Sequence, residues 1–426
     1  MWKKIKKAIK KRKTIYLIYL FLVKKGWAIY HFIRERNTLY HLALIIKTLI
    51  NTRYKLNSYQ IISVKEFCSK KNLQYLVMEK EQAREICIPS YYGYREGESI
   101  KTAISPEIYI AELTDAEIIG ASSFIIVDDY CLYDMATMDD EKRYDLRCES
   151  LKTIDKNNIA LVMSFNSNQT FEEAIFLIGF ASGNYFHLTI EILSRLKYID
   201  LFEEYRQIPL MIDKIVFKIP QFRELLQTMN KYNHPVVPIE REYRYKVKRL
   251  IFPSYNTWLP FNLKDDECLI YKDFMVANSG IEYVRNTILN KLNLEGNRKI
   301  FVSRKNYSQR LANEKVVVEL FSQYGFEIIY PEELSFHKQV ELFSHAKYVA
   351  GVTGAAFTNI TYCPNNATVI CIMPREYDAC LYSTIGNTIK IKSIFLDARV
   401  VKKGSKISVD QYELDVNYCT EFLKTL

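Results

Sequence analysis

Glycine and proline are scarce in this chain, 13 and 11 of its 426 residues, against 32 tyrosines. So few backbone breakers argue against long flexible linkers, and no repeat or low-complexity tract is present. The nine cysteines are scattered and odd in number, and none forms a C-x-x-C pair. They give no support for a disulfide framework or a zinc site, and a reduced, cytoplasmic setting is the simpler account. No D-x-D triplet stands out as a carrier of a metal–diphosphate complex, so the reading assigns no metal and no cofactor. The run IYLIYLFLV at residues 15–23 is unbroken and apolar. A bilayer span needs about 20 such residues, so this one is too short to cross. It is followed by Lys24 and Lys25 with no small-residue cleavage site, unlike a secretory signal. Residues 1–25 read best as a basic amphipathic segment on an anionic membrane surface, with a signal peptide or an ordinary docked helix as alternatives.

A positive excess is also missing from most of the chain, despite a net +10. Residues 1–36 hold twelve Lys and Arg against one acid, Glu35, so the remainder is close to neutral. A nucleic-acid enzyme spreads positive charge over its binding face, and this chain does not.

What the chain does have is α/β alternation. From residue 299 to 359, short β-branched and aromatic runs alternate with amphipathic stretches at helical spacing, the pattern of parallel βαβ units. The pattern continues through ATVICIMP and IKSIFLDA. Upstream, 60–150 reads as short strands and turns, and 158–240 as strand–helix alternation, with one helix expected over 183–205. The expected organisation is a basic helical extension (1–50), an α/β domain (51–240) and a Rossmann-like domain (241–426). Two Rossmann-like domains facing a central cleft describe the GT-B architecture.

Candidate site residues cluster at the expected strand ends, where open α/β sheets bind ligands. In GVTGAAFTN, a tight glycine turn precedes a helix whose free N–H groups suit a diphosphate, with Thr353, Gly354, Ala355, Thr358 and Asn359 at hand. The plainer reading is that these glycines only permit close strand–helix packing. SRKNYSQRLANE supplies Arg304, Lys305 and Arg310, cations matched to phosphate oxygens, with Asn313 as a helix cap. In PEELSFHKQ, Glu332 and Glu333 stand at the strand end, where a carboxylate binds ribose hydroxyls or pairs with Arg304, and Ser335 caps the next helix; the plainer reading is capping and helix-dipole balance. In the first half, His187 and Glu191 stand at i and i+4 on one helix face, an arrangement for an oriented general base or for a structural hydrogen bond. Asp129 is a second candidate for the base.

The ordered set SRKNYSQRLANE, PEELSFHKQ and GVTGAAFTN, with upstream IIGASSFIIVDDYCLYD, GNYFHLTIEILSRL and KRLIFPS, resembles glycosyltransferase family 61 over about residues 105–400. The resemblance implies an inverting, metal-independent GT-B transferase that uses a nucleotide-diphosphate sugar and a glycan or lipid-linked glycan acceptor. Bacterial members are associated with capsule or other surface-polysaccharide synthesis. Many relatives carry His where this chain has Thr353, and His-Trp where it has His187-Leu188. The expected placement is cytoplasmic and peripheral on the inner face of the membrane. The alternatives are a non-catalytic scaffold of a polysaccharide assembly, or a phosphosugar or pyruvyl transferase on the same fold.

Overall fold

A computed structural model describes residues 54–94, 99–138, 142–264, 267–290, 292, 294–304, 310–404 and 410–426. The basic segment 1–50 and Lys305 lie outside the described residues. No helix among the described residues is long and apolar enough to cross a membrane.

The first half begins with β1 (Tyr54–Ile62), β2 (Tyr75–Glu79) and a hairpin of β3 (Gln82–Cys87) and β4 (Ile100–Ser105). It continues with β5 (Ile108–Ile119), β6 (Ile125–Val127), β7 (Tyr130–Leu132) and β8 (Leu151–Ile154). Then come β9 (Ile159–Leu177), β10 (Leu210–Asp213), β11 (Val236–Ile239) and β12 (Tyr243–Pro253). All except the hairpin join one ten-stranded sheet, ordered β1-β7-β6-β5-β12-β9-β10-β11, with β2 on β5 and β8 on β9. The 19-residue β9 explains its shape. Its first part pairs antiparallel with β1, which closes the strand order on itself, and its last part runs parallel to β12 and β10.

This differs from the expected Rossmann-like first domain. The sheet is mixed, and pairings such as β1–β9 join segments far apart in sequence, which local periodicity does not encode. KRLIFPS is the end of β12, between β5 and β9.

The second sheet consists of β13 (Arg298–Val302), β14 (Glu327–Ile329), β15 (Ala346–Val352), β16 (Thr368–Met373) and β17 (Lys392–Asp397). All its pairings are parallel, in the order β14-β13-β15-β16-β17. Two connections are the amphipathic helices that the sequence predicts, Glu314–Gln323 and Phe336–Ser344; a third helix, expected near 377–384, runs Leu381–Thr388, and a 3-10 helix joins β15 to β16. Strands β15 and β16 are almost wholly buried, as a parallel strand covered on both faces must be. The strand order reverses between β13 and β15, and a doubly wound sheet opens a crevice at the carboxyl ends of such a pair.

The halves pack as one body. A single contiguous set of buried side chains includes Ile110 and Leu193 of the first half and Phe357 and Phe395 of the second. The β3–β4 hairpin reaches the helix Leu381–Thr388, where the Cys87 N–H donates to Thr384 Oγ1 (3.1 Å) and the Cys87 carbonyl accepts from Ser383 Oγ (2.5 Å).

Candidate active site

The crevice at the β13/β15 reversal is a cleft of about 460 Å³. One wall holds Arg304, Arg310, Ala355 and Ala356; across from it stand Gly183, Asn184 and Tyr185, with Glu332 and Gln339 also in the lining.

Arg304 follows β13, and its guanidinium lies against Gly354, just past β15. A Cβ on Gly354 would sit 1.7 Å from Arg304 Nη2. The glycine is therefore required by the arginine, not only by the turn. Arg310 Nη1 donates to the Thr353 carbonyl (3.1 Å), and its own carbonyl accepts from the Tyr412 N–H (2.8 Å). Tyr382 Oη donates to the Gly354 carbonyl (2.6 Å), fixing the turn from below. Burial, and then the neighbouring charge of Arg310, holds the Arg304 pKa below its usual value. Two cations that repel each other in a partly dry cleft gain most from a bound anion.

The helix expected after Gly354 is a 3-10 helix, Ala355–Tyr362, and its first closing bond runs from Phe357 N–H to the Gly354 carbonyl (2.8 Å). Thr353 and Thr358 are buried, Thr358 beside Tyr382. The Asn359 amide is committed inside the protein: Oδ1 accepts from Tyr185 Oη (2.8 Å), and Nδ2 donates to Gln339 Oε1 (2.9 Å). Asn313 occupies the cap position of Glu314–Gln323 without capping it. Its amide instead exchanges hydrogen bonds with the Leu414 backbone, at 2.7 and 3.2 Å. Ser335 caps Phe336–Ser344 by accepting from the Lys338 N–H (3.2 Å).

On the opposite wall, the single helix expected over 183–205 is broken into a π-helix (His187–Ile192), a 3-10 turn (Leu193–Arg195) and one α-turn (Leu196–Ile199). Local competition explains the break. Thr189 Oγ1 takes the Tyr185 carbonyl (2.6 Å), and Ser194 Oγ takes the Ile190 carbonyl (2.5 Å), loosening the regular ladder. Arg195, fully buried, seats this segment on the sheet edge by donating to the carbonyls of Ile178 (3.3 Å) and Pro253 (3.2 Å).

His187 Nδ1 and Glu191 Oε2 are 2.5 Å apart, and the imidazole stacks on Phe261. The histidine is 21% exposed and Glu191 8%. A carboxylate held on Nδ1 leaves Nε2 to take a proton. His187 is not itself in the cleft lining; it lies two residues beyond Tyr185, which is. Asp129 does not join the site. It sits exposed in the turn between β6 and β7, where Asp128 adopts a left-handed conformation (φ 52°) and pairs with Lys71. The Asp-Asp pair serves turn geometry there.

Sequence reading missed Asp213. Its carboxylate, at the end of β10, accepts from the N–H groups of Ala121 (2.6 Å) and Gly179 (3.0 Å), anchoring the segment that leads to Gly183 and Asn184. Burial pushes its pKa up to about 6. The one available signal was an acid closing the strand IPLMID. Tyr185 and Tyr382 were also missed, because their roles depend on partners far away in sequence. Among the described residues, no group of three or more His, Cys, Asp or Glu is placed to hold a metal ion.

Residues 185–370 match the glycosyltransferase 61 family model, less than half of the chain but including the 3-10 helix Ala355–Tyr362, both arginines and the His187–Glu191 pair. The match supports a glycosyl-transfer function. None of the curated proteins compared with the chain matches it.

Proposed function

We propose that the chain transfers a sugar from a nucleotide-diphosphate donor to a hydroxyl of a glycan acceptor. The observation that carries this is the pairing of Arg304 and Arg310 around the Gly354 turn, in a cleft at the strand-order reversal. A departing nucleoside diphosphate gains negative charge in the transition state, and fixed guanidinium groups stabilise it without reorganisation. Lys305 adds a third cation in this reading, and Glu332 faces the ribose hydroxyls. No metal is assigned a role.

The facing wall, 183–185, brings the acceptor. His187, oriented by Glu191, takes the proton from the attacking hydroxyl. The oxygen forms a bond to the anomeric carbon as the diphosphate leaves from the opposite face, so the configuration inverts. The donor lies on the second, parallel sheet, and the acceptor comes from the side of the mixed first sheet. Residues 1–25 hold the enzyme on the inner face of an anionic membrane, which suits capsule or surface-polysaccharide synthesis on a lipid-linked acceptor.

Arg304→Ala is the direct test. Donor turnover falls by orders of magnitude, since one such donor group is worth about 3–4 kcal/mol in a transition state, while the thermal midpoint without ligand stays near wild type. Unchanged nucleotide-sugar turnover would remove the basis of this assignment.

A further inference from the structure

A second cavity, about 780 Å³, opens at the carboxyl end of β12 in the first half. Its lining is unlike that of the donor cleft. Partly exposed Tyr75 and Tyr271 and buried Tyr109 and Trp258 are among its lining residues, Lys101 and Arg84 stand over the rings of Tyr271 and Trp258, and Glu107 and Asp134 contribute carboxylates. The rings are held in place. Tyr75 stacks on Tyr109 with centroids 4.3 Å apart, Tyr75 Oη donates to Glu107 Oε1 (2.7 Å), and Tyr109 Oη donates to Asp134. Glu107 also pairs with Lys65 (2.8 Å), another lining residue.

This chemistry narrows the occupant. An acyl chain would strip water from carboxylates and lysines without replacing their hydrogen bonds, which is costly. A polyanion would meet Glu81, Glu107 and Asp134 as well as the lysines Lys65 and Lys272. A sugar ring suits both features, because its C–H faces lie flat on aromatic rings while its hydroxyls reach acceptors and donors at the rim.

The position matters as much. Tyr255 and Met135 line this cavity and also a small void whose wall includes Glu191 and Phe261, the two side chains that hold His187. Residues 183–185, in the wall of the donor cleft, precede His187 on the same segment. The aromatic cavity and the void beside His187 therefore adjoin.

We propose that the aromatic cavity binds an internal stretch of an uncharged acceptor glycan, several sugar units from the hydroxyl that reacts. The inference rests on the glycosyl-transfer reading and extends it from the donor to the acceptor. It makes this an enzyme for oligosaccharide chains, with a requirement for acceptor length.

The test uses the full chain and two readouts. Binding of uncharged hexasaccharides (maltohexaose, cellohexaose and chitohexaose) and of their monosaccharides is followed by saturation-transfer NMR. Thermal shift with a panel of nucleoside diphosphates follows the donor cleft. The expected result is binding of at least one hexasaccharide but not its monosaccharide, weakened several-fold in Tyr271→Ala and in the shape-preserving Glu107→Gln, with the nucleotide response unchanged in both. If nucleotides stabilise the protein but no hexasaccharide binds, or if hexasaccharide binding ignores both substitutions, the cavity proposal fails and the donor reading stands. Tighter binding of octyl glucoside than of any hexasaccharide would also overturn it, in favour of a lipid. If neither nucleotide nor glycan binds, both fail together.

Discussion

Arg304 occupies the space that a side chain on Gly354 would fill, with Nη2 1.7 Å from the position of an added Cβ. One residue leaves β13 and the other leaves β15, so the contact exists only because these parallel strands are neighbours. It turns a glycine-rich turn, a weak signal by itself, into one half of a two-part anion site.

The first prediction follows from that contact. Gly354→Ala expels the guanidinium and lowers donor turnover as severely as Arg304→Ala. The clash falls on the end of a flexible side chain, and the positive φ of 156° adds backbone strain, so the chain still folds at a cost of about 1–3 kcal/mol. The double variant is no worse than either single one, because both remove the same interaction. Additive losses in steady-state turnover would show that the two residues act separately.

Asn359 gives a contrasting case. Its amide joins Tyr185 to Gln339, both in the cleft lining, and the residue is fully buried. Asn359→Leu leaves Gln339 Oε1 without its donor, a loss of about 1–3 kcal/mol for a buried unsatisfied group, while Tyr185 Oη keeps Tyr362 Oη at 3.0 Å. A lowered urea midpoint is expected, with nucleotide affinity falling less than in Arg304→Ala. If the midpoint holds while nucleotide binding is lost, Asn359 touches the donor directly.

Asp213 makes stability depend on pH. Its carboxyl is pushed up to about 6 by burial. Between the ordinary carboxylate range and that value, the unfolded chain has released this proton while the folded chain keeps it. The contribution is therefore fully present at lower pH and declines as pH rises through about 6. Asp213→Asn removes this slope. It also places an amide N–H₂ against one of the two backbone donors, so the variant is less stable by roughly 1–3 kcal/mol. Denaturation curves from pH 4 to 7 that keep the wild-type slope in the variant would count against this role.

For the His187–Glu191 pair the readout is a pH–rate profile. A general base works only when deprotonated, so the wild-type rate falls on the acid side. His187→Gln lowers kcat by about 10²–10⁴-fold and abolishes that limb. Glu191→Gln lowers kcat less than His187→Gln does, because the imidazole stays in place but loses the carboxylate that orients it. A variant profile identical to wild type would return the pair to a purely structural role.

The amphipathic helices of the second half, its strands and the Arg304 and Gly354 positions are legible in the sequence. Each rests on local periodicity or on one residue type at a strand end. The helix over 183–205 was only half legible. Its apolar stripe was visible, but Thr189 and Ser194 spend their hydroxyls on backbone carbonyls, and hydrophobic spacing carries no trace of that. Asp129 misled because an acid beside a strand-like run looks the same whether it faces a site or makes a turn.

Local sequence dictates the parallel βαβ half and the residue types at the ends of its strands, since spacing and backbone freedom are properties of neighbouring residues. Tertiary structure decided the rest. It closed the first sheet through β1 and β9, committed Asn313 and Asn359 to the fold, and set Arg304 on Gly354 with Gly183 to Tyr185 across the cleft. Those outcomes depend on which distant segments pack together, and packing is settled by the whole core rather than by any one stretch of chain.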